Sequence, residues 1–302
     1  MKYISFYKIQ KLFVDPLLLG NDLKGICTVL VFELSFLTAR LKRLSQNMEV
    51  LKFVDVLLEI RRELDTKIDL KRLTKEGFEK RVSLSVSKGG RPLLDEEVLN
   101  TLDYGYYAEA LVMVLEALRE RVPMDGEITR LIGDLQADPL LSRRLMEQCL
   151  GIAGDGVVDV EDEVLVHILF TPLRRLLNII NQVNSKLDSP VPVRSCLTCG
   201  RNYILGVYRG GFRYMVCSAC GHVARVDFFY CPTCGNTDPN LLSFKKMLEE
   251  PYFQIEICRR CGAYYKMVNE DMVGTVSDDP LLLDMATIDL DNIANSSRKI
   301  SL

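Results

Sequence analysis

Apolar residues recur three or four positions apart through the first part of the chain, as on one face of an amphipathic helix. The stretch LTARLKRLSQNMEVLKFVDVLLEIRREL keeps this spacing over its whole length. The pattern predicts one long helix with a single apolar face. The apolar residues of that face are Leu41, Leu44, Met48, Leu51, Val54 and Leu58.

The same period predicts further helices as far as Leu187. One begins near Asp95 and runs through YYAEALVMVLEALRE; two shorter ones cover EITRLIGDLQ and PLLSRRLMEQCLG. The last, VEDEVLVHILFTPLRRLLNIINQVNSKL, contains Pro172, which predicts a kink. Residues 1–189 therefore form an all-α domain, and we expect its His167 to be a buried, hydrogen-bonded side chain, because no catalytic motif surrounds it.

The period changes after the proline-containing segment LDSPVPVRS. NYILGVY and FRYMVC flank Arg209-Gly210-Gly211, which is typical of a tight hairpin turn. VARVDFFYC, LLSFKKM, YFQIEIC and AYYKMV predict further strands. Residues 190–270 form a second, β-rich region. Residues 271–302 form an acidic C-terminal tail, with one short helix around LLLDMA before the chain frays.

A repeat of cysteines lies within the β-rich region. Four Cys-x-x-Cys pairs occur as CLTCG, CSACG, CPTCG and CRRCG. In a metal-binding knuckle the chain turns sharply, and the glycine supplies the positive φ that the turn needs. A redox pair would require a thioredoxin-like βαβ context, which is absent. The repeat predicts two four-cysteine metal sites, with the ligands Cys196, Cys199, Cys217, Cys220, Cys231, Cys234, Cys258 and Cys261.

The spacing of the pairs favours sequential pairing. The intervals between them are 17, 10 and 23 residues, and the predicted hairpin lies in the first interval. This places a first site over residues 196–220 and a second over 231–261. Interleaved pairing would need a jump of 31 residues between Cys199 and Cys231.

Charge and composition limit the function. Four thiolates suit zinc, and they also hold iron in rubredoxin-type centres; with every ligand position filled, metal-assisted hydrolysis is disfavoured. Residues 194–270 contain ten Lys and Arg and six Asp and Glu, an excess of four positive charges. Two centres of four thiolates would cancel that excess. We therefore expect no nucleic-acid partner. The apolar run GICTVLVFELSFL is interrupted by Glu33 and is short for a membrane span. With no secretory signal pattern, these features predict a cytoplasmic protein, in which Cys27 and Cys149 are buried thiols.

The β-rich region resembles the formate dehydrogenase accessory protein (FdhE) family. The segment Gly211-Phe212-Arg213-Tyr214 before the second Cys pair is similar to the family's G-x-R-Y, and CRRCGAYYK is similar to its closing motif. The chain departs from the family at His222 and Val223, where a tryptophan is usual. The resemblance implies a helical domain followed by two rubredoxin-like, zinc-ribbon modules, each with a four-cysteine metal site.

The resemblance also implies a non-enzymatic role. Such proteins bind the catalytic subunit of a molybdenum- or tungsten-dependent formate dehydrogenase during its maturation. A partner cleft lined by Arg213, Tyr214, Tyr264 and Lys266 is our hypothesis; the alternative is that the aromatic residues merely pack the ribbons together. The competing functions are a zinc-ribbon nucleic-acid binder and a rubredoxin-like electron carrier. The sequence contains no pattern that decides the oligomeric state.

Overall fold

A computed structural model describes residues 48–88, 92–122, 126–152, 163–184, 190, 192–274 and 279–299. The predicted helix positions before Met48, and Cys27, lie outside these residues. The first part of the described chain is entirely helical, as the apolar period predicted. Its helices are α1 Met48–Lys67, α2 Leu70–Leu73, α3 Phe78–Lys88, α4 Glu96–Leu99, α5 Tyr104–Arg121, α6 Gly126–Ala137, α7 Leu140–Cys149, α8 Glu163–Phe170 and α9 Arg174–Asn184.

Two of the predicted helices are interrupted. Asp95 caps only the short α4, since its side chain accepts the Val98 N–H. A second cap at Asp103, which accepts the Tyr106 N–H, then starts α5. The prediction of one helix from Asp95 is therefore wrong, because two capping aspartates lie in succession. The predicted kink at Pro172 is a complete break between α8 and α9.

Helix α5 is the centre of the helical region and packs against α1, α2, α6, α7 and α8. The buried face of α1 is rotated from the predicted one: Val54 is buried, whereas Leu58 is only half-buried. Phe53, Leu57 and Ile60 are further buried apolar residues of this face. The same buried face also carries the side chain of Arg61, which is 4% exposed.

The β-rich region forms one mixed sheet. Its six strands have the order β3-β2-β1-β6-β5-β4, in which all neighbours are antiparallel except the parallel pair β1 and β6. Each half of the sheet is a three-stranded ribbon, so the parallel pair is the seam between the two ribbons. The predicted hairpin turn is present, with Gly210 and Gly211 at φ 58° and 73°. The strands are β1 Leu205–Arg209, β2 Phe212–Val216, β3 Val223–Val226, β4 Leu242–Lys246, β5 Phe253–Cys258 and β6 Tyr264–Asn269.

Glycine makes the seam possible. Gly206 on β1 lies opposite Met267 on β6. A Cβ at Gly206 would lie 2.6 Å from the Met267 Sδ and 2.6 Å from the Tyr214 carbonyl oxygen. A side chain at this position would therefore displace Met267 across the seam and would also clash with the backbone of β2 in the same ribbon.

The chain after the sheet is more ordered than predicted. It forms the helices α10 Glu270–Val273, α11 Pro280–Met285 and α12 Ile288–Lys299. Helix α12 packs on β5 and β6, and its Leu290 and Ala294 are completely buried. The expectation that the chain frays after one short helix is wrong for residues 288–299. The boundaries proposed for the three regions stay predictions. Within the described ranges, no helix is long and apolar enough to cross a bilayer.

A buried polar cluster joins α1, α8 and α9 to the residue that caps α11. Arg61 on α1 donates to the Asp279 carboxylate at 2.7 Å and lies 3.2 Å from the His167 Nδ1. Arg174 pairs with the other carboxylate oxygen at 3.0 Å. Burial, followed by the nearby Arg61 charge, lowers the pKa of His167 to about 3. His167 is therefore a neutral, buried side chain, as predicted.

Candidate metal centres

The four Cys-x-x-Cys-Gly segments form the same turn. In each, the first cysteine N–H donates to the carbonyl oxygen five residues later, at 2.8–2.9 Å. The glycine N–H donates back to the first cysteine carbonyl at 2.8–3.0 Å. The glycines have φ between 70° and 78°, which an L side chain rarely adopts. The glycines are Gly200, Gly221, Gly235 and Gly262.

The turns come together in sequential pairs. Cys196 and Cys199 meet Cys217 and Cys220 in a first group, and Cys231 and Cys234 meet Cys258 and Cys261 in a second. Within each group the four sulfurs lie within 4.8 Å of one another. This is the sequential arrangement that the spacing favoured, and interleaved pairing does not occur.

The sulfur geometry is suitable for a tetrahedral metal ion. Ligands about 2.3 Å from a central zinc lie about 3.8 Å apart. In the first group the shortest contacts are 3.4 Å for Cys196–Cys220 and 3.5 Å for Cys199–Cys217. In the second they are 3.7 Å for Cys231–Cys261 and 3.8 Å for Cys234–Cys258. Each group could hold one metal ion through four sulfurs, and the geometry does not distinguish zinc from iron.

The two groups differ in burial. All four cysteines of the first group are buried, and the most exposed, Cys220, is 5% exposed. In the second group Cys231 and Cys258 are buried, Cys234 is half-buried, and Cys261 is exposed. Water therefore reaches the second centre but not the first.

The helical region holds the first centre directly. Leu93 and Leu94 donate their N–H groups to the carbonyls of Leu197 and Thr198, each at 2.8 Å. The Asn181 side chain on α9 donates to the Cys220 carbonyl at 2.8 Å and accepts the Thr198 hydroxyl at 2.7 Å.

Two buried side chains lie close to this centre: His222, which follows the second knuckle of the first ribbon, and Tyr203, which follows the first knuckle. His222 is 1% exposed, and its Nδ1 lies 3.1 Å from the Tyr203 hydroxyl. The sequence singled out His222 only as a departure from the family. Its contact with Tyr203 was missed, because Tyr203 follows a different knuckle in the sequence.

Tyr265 on β6 is a close polar neighbour of the second centre. Its hydroxyl lies 3.0 Å from the Cys231 sulfur and accepts the Thr233 N–H at 3.1 Å. Burial, followed by the hydrogen bond with Cys231, raises the pKa of Tyr265 well above its ordinary value. The protonated hydroxyl can therefore donate to the sulfur, which helps to position a metal ligand.

The four residues of the hypothetical partner cleft lie on opposite faces of the sheet. Strand alternation places Arg213 on one face and Tyr214, Tyr264 and Lys266 on the other. Arg213 and Lys266 are 2% and 1% exposed. The structure does not bring the four together as one surface, and their contact with a partner stays a prediction.

Arg213 joins the two ribbons. Its guanidinium donates to the Glu256 carboxylate on β5 at 2.6 and 3.0 Å, and to the Tyr230 carbonyl at 3.0 Å. The Tyr208 hydroxyl on β1 contacts the same carboxylate from the first ribbon. This buried pair thus links β2 to β5 across the seam.

Lys266 and Tyr264 hold the C-terminal helix α12 on the sheet. The Lys266 ammonium pairs with Asp284 and, at 2.9 Å, with Asp291. The Tyr264 hydroxyl donates to Asp291 at 2.8 Å. Burial opposes the charge of Lys266, but the two carboxylates outweigh it and raise the pKa of the ammonium group.

These features define a class: a helical protein carrying a double ribbon with two groups of four cysteines. No family model matches the chain. A curated protein of Aquifex aeolicus (strain VF5), "Protein FdhE homolog", is 31% identical over 85 residues, which are 27% of this chain and 28% of that protein. The crystal structure of the FdhE protein from Pseudomonas aeruginosa has a TM-score of 0.57 and covers 86% of this chain and 89% of its own, at 17% identity. The second comparison establishes the fold, and together they support the resemblance to the FdhE family.

Proposed function

We propose that this chain is an FdhE-type accessory protein. It binds the catalytic subunit of a molybdenum- or tungsten-dependent formate dehydrogenase in the cytoplasm while that subunit matures, and it is not itself an enzyme. The observation that carries this proposal is the combination of an FdhE-like fold with two sets of four clustered cysteines.

The metal centres have a structural role in this proposal. Zinc or iron held by four cysteine sulfurs has no open position for water or substrate, unlike a catalytic zinc site. When bound, the ion would cross-link the two knuckles of a ribbon. The backbone turns and Tyr265 orient the sulfurs, and Asn181 and Thr198 attach the first centre to the helices.

The test is an anaerobic affinity purification from the native cell at moderate salt, with mass spectrometry of the co-purified proteins. We expect a large formate dehydrogenase catalytic subunit. The matched control is the Cys258→Ser variant, which removes one ligand of the second centre and should recover less of that subunit. Recovery of RNA or DNA in its place would contradict the proposal.

The metal content of the same preparation distinguishes the electron-carrier alternative. An electron carrier requires iron with reversible one-electron chemistry in both centres. Zinc in both centres would exclude that function and leave the accessory role intact. Nucleic-acid binding would fall steeply as salt is raised, whereas binding of a protein client need not.

A further inference from the structure

The second ribbon has an open strand edge. Among the strands that the structure describes, β4 ends the sheet, with β5 on one side only. The Arg259 N–H donates to the Leu241 carbonyl, and the Met247 N–H donates to the Phe253 carbonyl. Because the bonding residues of an antiparallel pair alternate, Phe244 and Lys246 direct their backbone N–H and C=O groups away from β5. Leu242 directs its C=O outward in the same way, while its N–H donates to the Pro239 carbonyl.

A row of aromatic side chains begins at this edge. Phe244 is 38% exposed, and its ring lies 6.3 Å from that of Phe229. Phe229 contacts Phe228 at 5.8 Å, and Phe228 stacks on Tyr208 at 5.2 Å. Phe228 and Phe229 are 47% and 45% exposed. An apolar surface therefore continues from the open strand across the seam to the first ribbon.

The edge is also basic. Lys245 and Lys246 are exposed on β4. Arg259 and Arg260 are exposed in the adjacent knuckle, whose backbone is bonded to the start of β4. Strand β4 itself carries no acidic residue; the nearest acids in the chain lie beyond its ends, at Asp238, Glu249 and Glu250.

We propose that β4 binds an extended, acidic segment of the client polypeptide by strand addition. The inference rests on the function proposed above and identifies the surface that performs it. The bound segment pairs with the outward backbone groups of Leu242, Phe244 and Lys246 and places apolar side chains against Phe244 and Phe229. Its acidic side chains lie beside Lys245 and Lys246. Main-chain bonds supply affinity in such complexes, and alternate side chains supply specificity.

Charge complementarity selects this occupant over a second copy of the chain. Lysines on an edge strand discourage pairing with an identical strand, because like charges meet. The same lysines attract an acidic strand. A second β4 would place Lys246 close to its own copy, whereas an acidic client segment offers it a carboxylate.

The test uses the full, metal-loaded chain and two substitutions at one position. Lys246→Pro removes the outward N–H of β4 and the charge, whereas Lys246→Ala removes only the charge. Both leave the bonds to β5 in place, because the Lys246 N–H points away from it. Binding to the purified formate dehydrogenase catalytic subunit is measured for both variants and for the wild type, and overlapping synthetic peptides of that subunit locate the segment.

We expect Lys246→Pro to bind the subunit about tenfold more weakly than Lys246→Ala. The difference corresponds to roughly one well-formed hydrogen bond, the one that the Lys246 N–H donates to the added strand. The peptide that binds should be acidic. Equal affinities of the two variants would overturn the inference and leave the proposed function standing. No binding by the wild type would contradict the proposed function, and the inference falls with it.

A charge-reversal pair gives a second, independent measurement if Lys246→Pro does not retain two metal ions. Lys245→Glu/Lys246→Glu should abolish binding of the acidic peptide, whereas Lys75→Glu/Lys80→Glu, which reverses two exposed lysines of the helical region, should leave it unchanged. An equal effect of both pairs would overturn the inference. Binding of single-stranded RNA that only the β4 pair abolishes would assign the edge to nucleic acid and would also overturn it.

Discussion

The two ribbons share a sequence repeat, a strand order and a knuckle geometry, yet they occupy different environments. The first group of four cysteines is buried and hydrogen-bonded to the helical region through Leu93, Leu94 and Asn181. The second group lies at the outer half of the sheet, with Cys261 exposed. A knuckle is thus a local structure, while the stability of its metal centre depends on distant parts of the chain.

The difference assigns a different structural role to each centre. The first centre stands between the helices and the sheet, so its loss affects both. The second centre joins the two knuckles of its own ribbon, which carries the exposed edge strand and part of the aromatic row. We infer that the helical region depends on the first ribbon for its stability and that the second ribbon is the part that contacts a partner.

Removal of one ligand from each centre should show the largest contrast. Cys217→Ser removes a first-centre ligand, and Cys258→Ser removes a second-centre ligand. Metal binding in such sites contributes about 10–16 kcal/mol to folding, so each variant should lose its own ribbon. We expect Cys217→Ser to lose the cooperative thermal transition of the helices and Cys258→Ser to retain it, as measured by far-UV circular dichroism.

Metal analysis of these two variants completes the comparison. Cys258→Ser should keep one metal ion per chain and should lose client binding together with its second ribbon. Retention of two metal ions and a folded second ribbon in Cys258→Ser would contradict the ligand grouping. Equal damage to the helices in both variants would contradict the different roles of the two centres.

The ion pair across the seam should have the next largest effect. Glu256→Leu leaves the Arg213 guanidinium buried without its carboxylate, and breaking a buried pair in this way costs about 3–5 kcal/mol. Arg213→Met/Glu256→Leu removes both charges and should cost clearly less. Chemical denaturation of the wild type and of both variants measures the free energies of unfolding. A double variant as unstable as the single one would show that the cost does not come from leaving the Arg213 charge buried without its carboxylate.

The smallest expected effect is a pH dependence of the free energy of unfolding, which arises from His167 in the helical region. Because the pKa of His167 is lowered to about 3 by burial and by Arg61, the unfolded chain binds a proton near pH 6.5 that the folded chain does not. This contribution to stability is present above pH 6.5 and is lost as the pH falls below it. The slope approaches about 1.4 kcal/mol per pH unit.

His167→Gln provides the matched control, because glutamine accepts from Arg61 and does not titrate. Denaturation midpoints of both proteins between pH 7.5 and 5.5 give the two slopes. The wild type should lose stability more steeply than His167→Gln, while Cys258→Ser should follow the wild type. Parallel curves for wild type and His167→Gln would contradict a neutral, buried His167.

Much of the fold could be predicted because its signals are local. The helical period, the hairpin glycines and the four Cys-x-x-Cys-Gly turns each depend on neighbours in the chain. The positive φ at Gly200, and at the equivalent glycine of each other turn, follows directly from the repeat. The interval lengths were sufficient to favour the sequential grouping of cysteines.

The remainder depends on contacts between distant residues. Nothing near Arg213 indicates that its partner is Glu256, 43 residues away, and nothing near Lys266 indicates the carboxylates of the last helices. The parallel seam was also missed, although a glycine within a strand, as at Gly206, is one signal of a close backbone approach. Arg213 and Lys266 suggested a surface for another protein, because the sequence does not show which carboxylates they pair with. In the structure both are buried and pair with carboxylates of the same chain.

The most direct measurement is a chelator challenge of the full chain followed by native mass spectrometry over time. We predict that the exposed second centre releases its metal first, so that a species with one metal ion accumulates while the helices stay folded. The metal ion of the first centre should leave only as the helical signal is lost. Simultaneous release of both ions, or a one-metal species that has already lost its helices, would contradict the different roles of the two centres.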